Sequence, residues 1–451
     1  MSQPCFDYID QNQGRFLDEL RQFLTFPSIS ADSRHKEDVS HCAQWLVEHL
    51  KQIGLESRLI PTQGHPIVWA RCKGQSDKKL IIYGHYDVQP VDPVDPWQTD
   101  PFMPSIRDGF MYARGASDDK GQLFAHIKGV ESLLKTRGGL PCEVVFLFEG
   151  EEECGGKSLE HYIQKEKANL AADAVIVSDT SLYDEATPAI TYGLRGMAAL
   201  DVKVTTAAHA LHSGSYGGAV GNAVKALSYI ISRCSGPDGV VQIPGFYDGV
   251  RPLADWERDN IRRLSYDDDK LMAEVGSKIP FGEADYSTLE RMWARPTFEV
   301  NGISGGYAGE GFKTIIPSCA AAKISMRLVP DQNPHTVIEL AKKYLKSICP
   351  PYADIDVVPL SAAEPVLFDV ENPMIQAGRQ ALQYGFNAEP VYIRCGGSIP
   401  VVTAFWKELK KPVVLMGFGL DSDGAHSVNE RFKIDNFIRG AKSSAYLLSN
   451  L

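Results

Sequence analysis

The chain has 451 residues, with 46 Lys and Arg against 57 Asp and Glu, a formal charge of −11 and 44% hydrophobic residues. That length buries a sizeable core and corresponds to two or three domains at roughly 150 residues each, which excludes a single small module. The deficit of basic charge excludes an extended phosphate-tracking surface, so no nucleic-acid partner is expected.

Nine cysteines are scattered without a Cys-x-x-Cys pair. An odd number cannot all be bridged internally, and reduced thiols are the simpler reading. The opening residues Met1 to Asp7 lack a basic stretch followed by an apolar one, and no uncharged apolar run reaches the roughly 18–20 residues that cross a bilayer. A cytoplasmic protein without membrane contact is expected.

In chain order, Phe16, Leu17, Leu20, Phe23 and Leu24 recur at helical spacing and predict an amphipathic opening helix. Four continuous apolar runs then read as buried strands: Leu80 to Tyr83, Val144 to Phe148, Ala174 to Val177 and Val413 to Met416. Helical patterns alternate with them, the signature of an α/β layer structure. Each run leads into acidic or histidine-bearing residues: His85 and Asp87, Glu149 with Glu151 to Glu153, Asp179, and His426. Open α/β sheets bind ligands beyond the carboxyl ends of their strands, so these segments should converge on one crevice.

From residue 194 to 361 the character changes. Leu200, Val202 and Val204 alternate, Val224 to Ile231 is helical in pattern, Lys323 to Leu328 reads as a strand and Val337 to Leu345 as a helix. The expected organisation is a mixed-sheet α/β/α catalytic domain in two parts, 1–193 and 362–451, with a smaller α+β lid/dimerisation domain, 194–361, inserted between them. Residues 235–251 and the charged stretch Asp267 to Lys270 read as surface loops. The glycine-rich run Gly302 to Gly311 lacks the spacing of a phosphate-binding loop.

The acidic segments admit both plain and chemical readings. His85 and Asp87 lie two apart, so in an extended segment Asp87 stands beside the His85 ring and can orient it as a metal ligand. Asp118 and Asp119 precede a helix whose apolar positions are Leu123, Ile127, Val130 and Leu134, and helix capping would explain them equally. Glu149 and Glu151 to Glu153 follow an apolar strand, where packed carboxylates are unfavourable unless a cation compensates them or one stays protonated. Together with Asp179 and His426, these hard and borderline donors, without a cysteine among them, describe a two-metal hydrolytic site better than unrelated coincidences do.

These residues resemble the dinuclear metallopeptidases that include carnosine-type dipeptidases, peptidase V, carboxypeptidase G, and acetylornithine and succinyl-diaminopimelate deacylases. The motifs are Gly84-His85-Tyr86-Asp87, Gly115-Ala116-Ser117-Asp118-Asp119-Lys120-Gly121, Glu152-Glu153, Leu211-His212-Ser213-Gly214 and Gly424-Ala425-His426-Ser427. The first and fourth look most like the dipeptidase branch. The resemblance implies two divalent ions per subunit, Zn foremost with Mn or Co as alternatives. Asp118 would bridge them, His85 and Asp179 completing one site and Glu153 and His426 the other. It implies Glu152 as general base, Asp87 as the partner of His85, and a cis peptide at Asp118-Asp119. His212 is similar to a histidine that crosses a homodimer to stabilise the oxyanion. Arg327 matches an arginine that grips a substrate carboxylate, and Thr314 and Ser398 match substrate contacts. The implied activity is hydrolysis of a dipeptide or other small amide. An N-acyl-amino-acid deacylase and an inactive dimeric binding relative are the competing readings. Cys154 and Cys395 have packing as their plain role.

Overall fold

The computed structural model describes residues 3–92 and 94–451. The four apolar runs all form strands, and they are parallel neighbours in one sheet. Lys79–His85 pairs in parallel with Glu143–Glu149 on one side and with Ala174–Val177 on the other, and Val413–Leu415 pairs in parallel with Ala174–Val177. Antiparallel strands extend the sheet on both flanks: Ile67–Cys72 and then Glu56–Ile60 beyond Glu143–Glu149, and Ala189–Leu194 beyond Val413–Leu415. The sheet is therefore mixed, as expected. The parallel core is continuous in hydrophobicity because it is covered on both faces; Leu80, Ile81, Val144, Phe146, Val175 and Val414 are wholly buried.

The chain clusters into two compact units. One comprises Met1–Tyr192, Phe368–Ile393 and Ala404–Leu451, and the other Gly193–Leu367 with Arg394–Thr403. The short segment Arg394–Thr403 thus groups with the second unit, although it lies well beyond the inserted stretch in sequence.

In the first unit, helix Lys120–Arg137 differs from the amphipathic element its apolar spacing suggests. Its residues from Lys120 to Leu133 are all buried, because it packs against Ile434–Ser449, Gln3–Gln11 and Gln13–Leu24 as well as strand Lys79–His85. Burial on every side demands partners for its polar groups. Lys128 Nζ lies 2.5 Å from Glu19, 2.8 Å from Glu131 and 2.9 Å from His49. His126 bonds Ser444 through Nδ1 and Ser178 through Nε2.

In the second unit an antiparallel sheet runs Glu299–Gly305, Cys319–Leu328, Gly196–Thr205, Asp354–Ala363. Alternating Ala198, Leu200, Val202 and Val204 point into a core completed by helices Ala223–Ser232 and Pro334–Ile348. The charged stretch at Asp267 is not a loop. Asp267 caps helix Asp268–Val275 by accepting from Lys270 N at 3.0 Å, and the following aspartates sit in its first turn, where the helix dipole favours them.

Candidate metal centre

The parallel strands deliver the acidic segments to one end of the sheet. His85 is the last residue of its strand, Glu152 and Glu153 lie in a short 3₁₀ turn just after Glu143–Glu149, and Asp179 follows Ala174–Val177. Asp118 comes from the loop before Lys120–Arg137. That loop and the first turn of the helix depend on glycines: Gly115 has φ +82°, and a Cβ on Gly121 would stand 2.0 Å from the Ala116 carbonyl oxygen. The Asp118-Asp119 peptide is cis. Asp119 begins the helix but makes no side-chain cap; its Oδ2 instead accepts from His85 N at 3.3 Å. Capping therefore does not account for this pair.

The two oxygens of Asp118 face different imidazoles. Oδ1 is 2.9 Å from His85 Nε2, and Oδ2 is 2.9 Å from His426 Nε2. His426 Nε2 is also 3.3 Å from Glu153 Oε2. Two donor groups result, His85–Asp118–Asp179 and Asp118–Glu153–His426, each with its donor atoms within 4.8 Å of one another and sharing Asp118.

Asp87 does more than orient His85. The imidazole Nδ1 lies 3.1 Å from the Asp87 carbonyl oxygen and 3.5 Å from its carboxylate. The same carboxylate accepts from Glu152 N at 3.3 Å, Glu153 N at 3.0 Å and Ser30 Oγ at 2.6 Å. One buried acid thus holds the histidine and the glutamate turn together. Gln89 donates to Glu153 Oε2 at 2.7 Å. Ser30 carries no motif and could not be recognised from sequence.

Electrostatics show what the cluster lacks. Burial, with Asp179, Glu153 and Asp118 adding to it against His85, pushes Glu152 up to about 9. Burial, followed by Asp118, raises Asp179 to about 7. Burial alone would lower His85, but its contacts with Asp118 and Asp87 outweigh that and raise it well above the ordinary value. Contacts with Asp118 and then Glu153 raise His426 to about 10. The clustered carboxylates favour positive charge between them, and an oxygen-rich, thiolate-free donor set with two imidazoles fits divalent Zn, Mn or Co. A third cluster, Glu19–His49–Glu131, already encloses the Lys128 ammonium as its cation.

The sequence agrees with this geometry. A family model described as peptidase family M20/M25/M40 matches residues 81–450. The chain belongs to this family. The peptidase is 32% identical to a Cys-Gly metallodipeptidase of Schizosaccharomyces pombe, over 97% of this chain and 95% of the relative. It is 29% identical to the human Beta-Ala-His dipeptidase over 98% of this chain and 90% of that one. Among solved structures, human carnosine dipeptidase 1 superposes with a TM-score of 0.85 at 28% identity, covering 99% of this chain and 98% of that one. A metallo-carboxypeptidase from Sulfolobus solfataricus superposes with a TM-score of 0.86 at 35% identity, covering 96% and 98%. The peptidase is a metal-dependent hydrolase of the dipeptidase branch of its family.

The second unit holds the remaining residues named from sequence in two groups. His212 ends a two-residue strand paired with Ile315–Ile316, is exposed, and accepts from Gly214 N at 3.0 Å through Nδ1. Thr314 is beside it, its carbonyl accepting from Ser213 N at 3.0 Å. In the other group Arg327 Nη1 donates to Ser398 Oγ at 3.1 Å, and Ser398 Oγ donates to the Arg195 carbonyl at 2.5 Å. Burial, followed by the Arg327 guanidinium, lowers Arg195 to about 10. Two guanidinium groups therefore influence one locality, although only Arg327 was named from sequence. None of the nine cysteines is in a disulfide, and no helix among the described residues is long and apolar enough to cross a membrane.

Proposed function

We propose that this peptidase hydrolyses dipeptides with two divalent ions. Asp118 would be shared between them, with His85 and Asp179 to hold one and Glu153 and His426 to hold the other. The observation that carries this reading is the Asp118 carboxylate, whose two oxygens each lie 2.9 Å from a different imidazole nitrogen. When bound, the ions supply Lewis acidity, which acidifies water and polarises an amide carbonyl.

Glu152 is the general base. Its raised value reflects burial, with Asp179, Glu153 and Asp118 adding to it; with divalent ions bound, its carboxylate would return toward the range in which it accepts a proton. Glu152 then gives that proton to the departing amine. Glu153 is committed to His426 and Gln89, so the adjacent glutamates divide binding from proton transfer. Asp87 keeps both in place through their backbone amides. In the second unit, Arg327 offers a planar donor pair to a substrate carboxylate, with Ser398 bracing it. His212 and Thr314 contact the substrate amide region. The second unit, taken as residues 194–361 in the sequence division, serves as lid and homodimer interface, and the enzyme acts in the cytoplasm. Zn is the proposed ion, with Mn or Co as substitutes.

The test uses chelator-stripped protein with Zn, Mn or Co restored singly, assayed on free-amine dipeptides beside their N-acetylated counterparts. Restored hydrolysis of the dipeptides supports the proposal. Preference for the acylated substrates assigns the chain to amino-acid deacylation, and activity that survives complete metal removal refutes the metal mechanism.

A further inference from the structure

The residues nominated as ligands come from distant parts of the chain, so something must hold their loops in register. Glu430 is 1% exposed and is separated from Asp118 by 312 positions in sequence. Its Oε1 accepts from Ser117 N at 2.9 Å and Asp118 N at 3.1 Å, and its Oε2 accepts from Gly115 N and Arg114 Nη1, both at 2.9 Å. Four donors therefore occupy one carboxylate, which leaves it no free oxygen for an ion.

The placement of Glu430 follows from a small antiparallel ladder. Arg431 pairs with Tyr112, and the Glu430 carbonyl accepts from Ala113 N at 3.1 Å, which brings the side chain to the loop that follows Ala113. Gln122 holds the same loop, donating to the Ser117 carbonyl at 3.0 Å while accepting from Phe418 N at 2.6 Å. On the other side of Glu430, His426 and Asn429 have φ of +61° and +56°. Such conformations are uncommon outside glycine, although Asn and His adopt them more readily than other residues, and they mark the segment as a tight turn.

We propose that Glu430 is a positioning residue of the metal centre, its carboxylate clamping the Gly115–Asp118 backbone and the Arg114 guanidinium to the segment that carries His426. The proposal rests on the assignment of Asp118 and His426 as ligands. Glutamine at 430 is nearly isosteric, yet in either amide orientation its NH₂ group faces donors on one side. Outer partners of metal ligands typically contribute roughly 10–100-fold in affinity.

The experiment titrates Zn²⁺ into stripped full-length protein against a chromophoric chelator, with circular dichroism melts run in parallel. Glu430→Gln is expected to lose roughly 10–100-fold in Zn²⁺ affinity. Glu131→Gln, whose partners are Tyr8, Arg15 and Lys128, is the control for loss of a buried charge: it should melt earlier but bind Zn²⁺ as the parent does. A folded Glu430→Gln variant with parental affinity overturns the proposal. If that variant does not fold, Glu430→Asp replaces it; this keeps the charge but withdraws it by one methylene, and parental affinity there is equally fatal. Parental protein that takes up no Zn²⁺ overturns the ligand assignment itself, and this proposal with it.

Discussion

Glu152 and Glu153 are adjacent and chemically identical, yet their surroundings separate them. Glu153 meets His426 and Gln89, whereas burial, with the neighbouring anions adding to it, pushes Glu152 up to about 9. Glu152→Gln should therefore lower kcat by roughly 10²–10⁴-fold while leaving Zn²⁺ stoichiometry and affinity near parental, measured by steady-state kinetics beside chelator competition. Asp87→Asn tests a different kind of residue. Its carboxylate accepts from Glu152 N, Glu153 N and Ser30 Oγ, and an amide there turns NH₂ toward donors. Metal affinity should fall by roughly 10–100-fold, and unchanged affinity in a folded variant would remove Asp87 from this role. Sequence spacing identified Asp87 as a neighbour of His85 because side chains two apart share a face. It could not reveal the bonds to the glutamate turn, which depend on how two strands align.

At the scale of elements, caps and burial act independently of the chemistry. Asn333 accepts from His335 N at 2.9 Å and Thr336 N at 3.1 Å at the start of Pro334–Ile348, a helix that closes the core of the second unit. Asn333→Ala should cost about 1 kcal/mol of stability, read from denaturant midpoints, with Zn²⁺ affinity unchanged. The apolar spacing of that helix and of Ala223–Ser232 was legible because each buries one face. Lys120–Arg137 was legible as a helix but not as a buried one. Its apolar stripe marks only the residues that need no partner; the i,i+3 spacing records the Lys128–Glu131 pair, but nothing local records that Lys128 also finds Glu19 and His49.

For the whole molecule, two buried histidines couple stability to pH. Burial lowers His126 to about 3, and burial followed by Lys128 lowers His49 to about 4, from an ordinary 6.5. Because the folded values lie below the unfolded one, the unfolded chain binds more protons as pH falls. The stabilisation is complete above pH 6.5 and is lost progressively as pH drops toward 4 and 3, with a slope of up to about 1.4 kcal/mol per pH unit for each histidine. His85, His426 and Asp179, whose folded values are raised, act with the opposite sign between pH 7 and 5, so the contribution of the lowered histidines to denaturant midpoints is read as the difference between the parent and a variant. His126→Gln, which has no proton to titrate there, should flatten the decline by up to one proton; an unchanged slope would contradict the assignment.

The sequence by itself determined which strands are buried on both faces, that acids and imidazoles follow them, and the family to which those motifs belong. Continuous apolar runs, helical spacing and glycine placement are local properties, so they can be read without coordinates. Tertiary structure decided what each carboxylate meets: Asp118 between two imidazoles, Asp87 under the glutamate turn, Glu430 around the Asp118 loop, and Lys128 inside its own acidic cage. Apart from Lys128 with Glu131, those pairings join residues tens to hundreds of positions apart, and their geometry arises only when the parallel sheet and the helices against it bring the loops together.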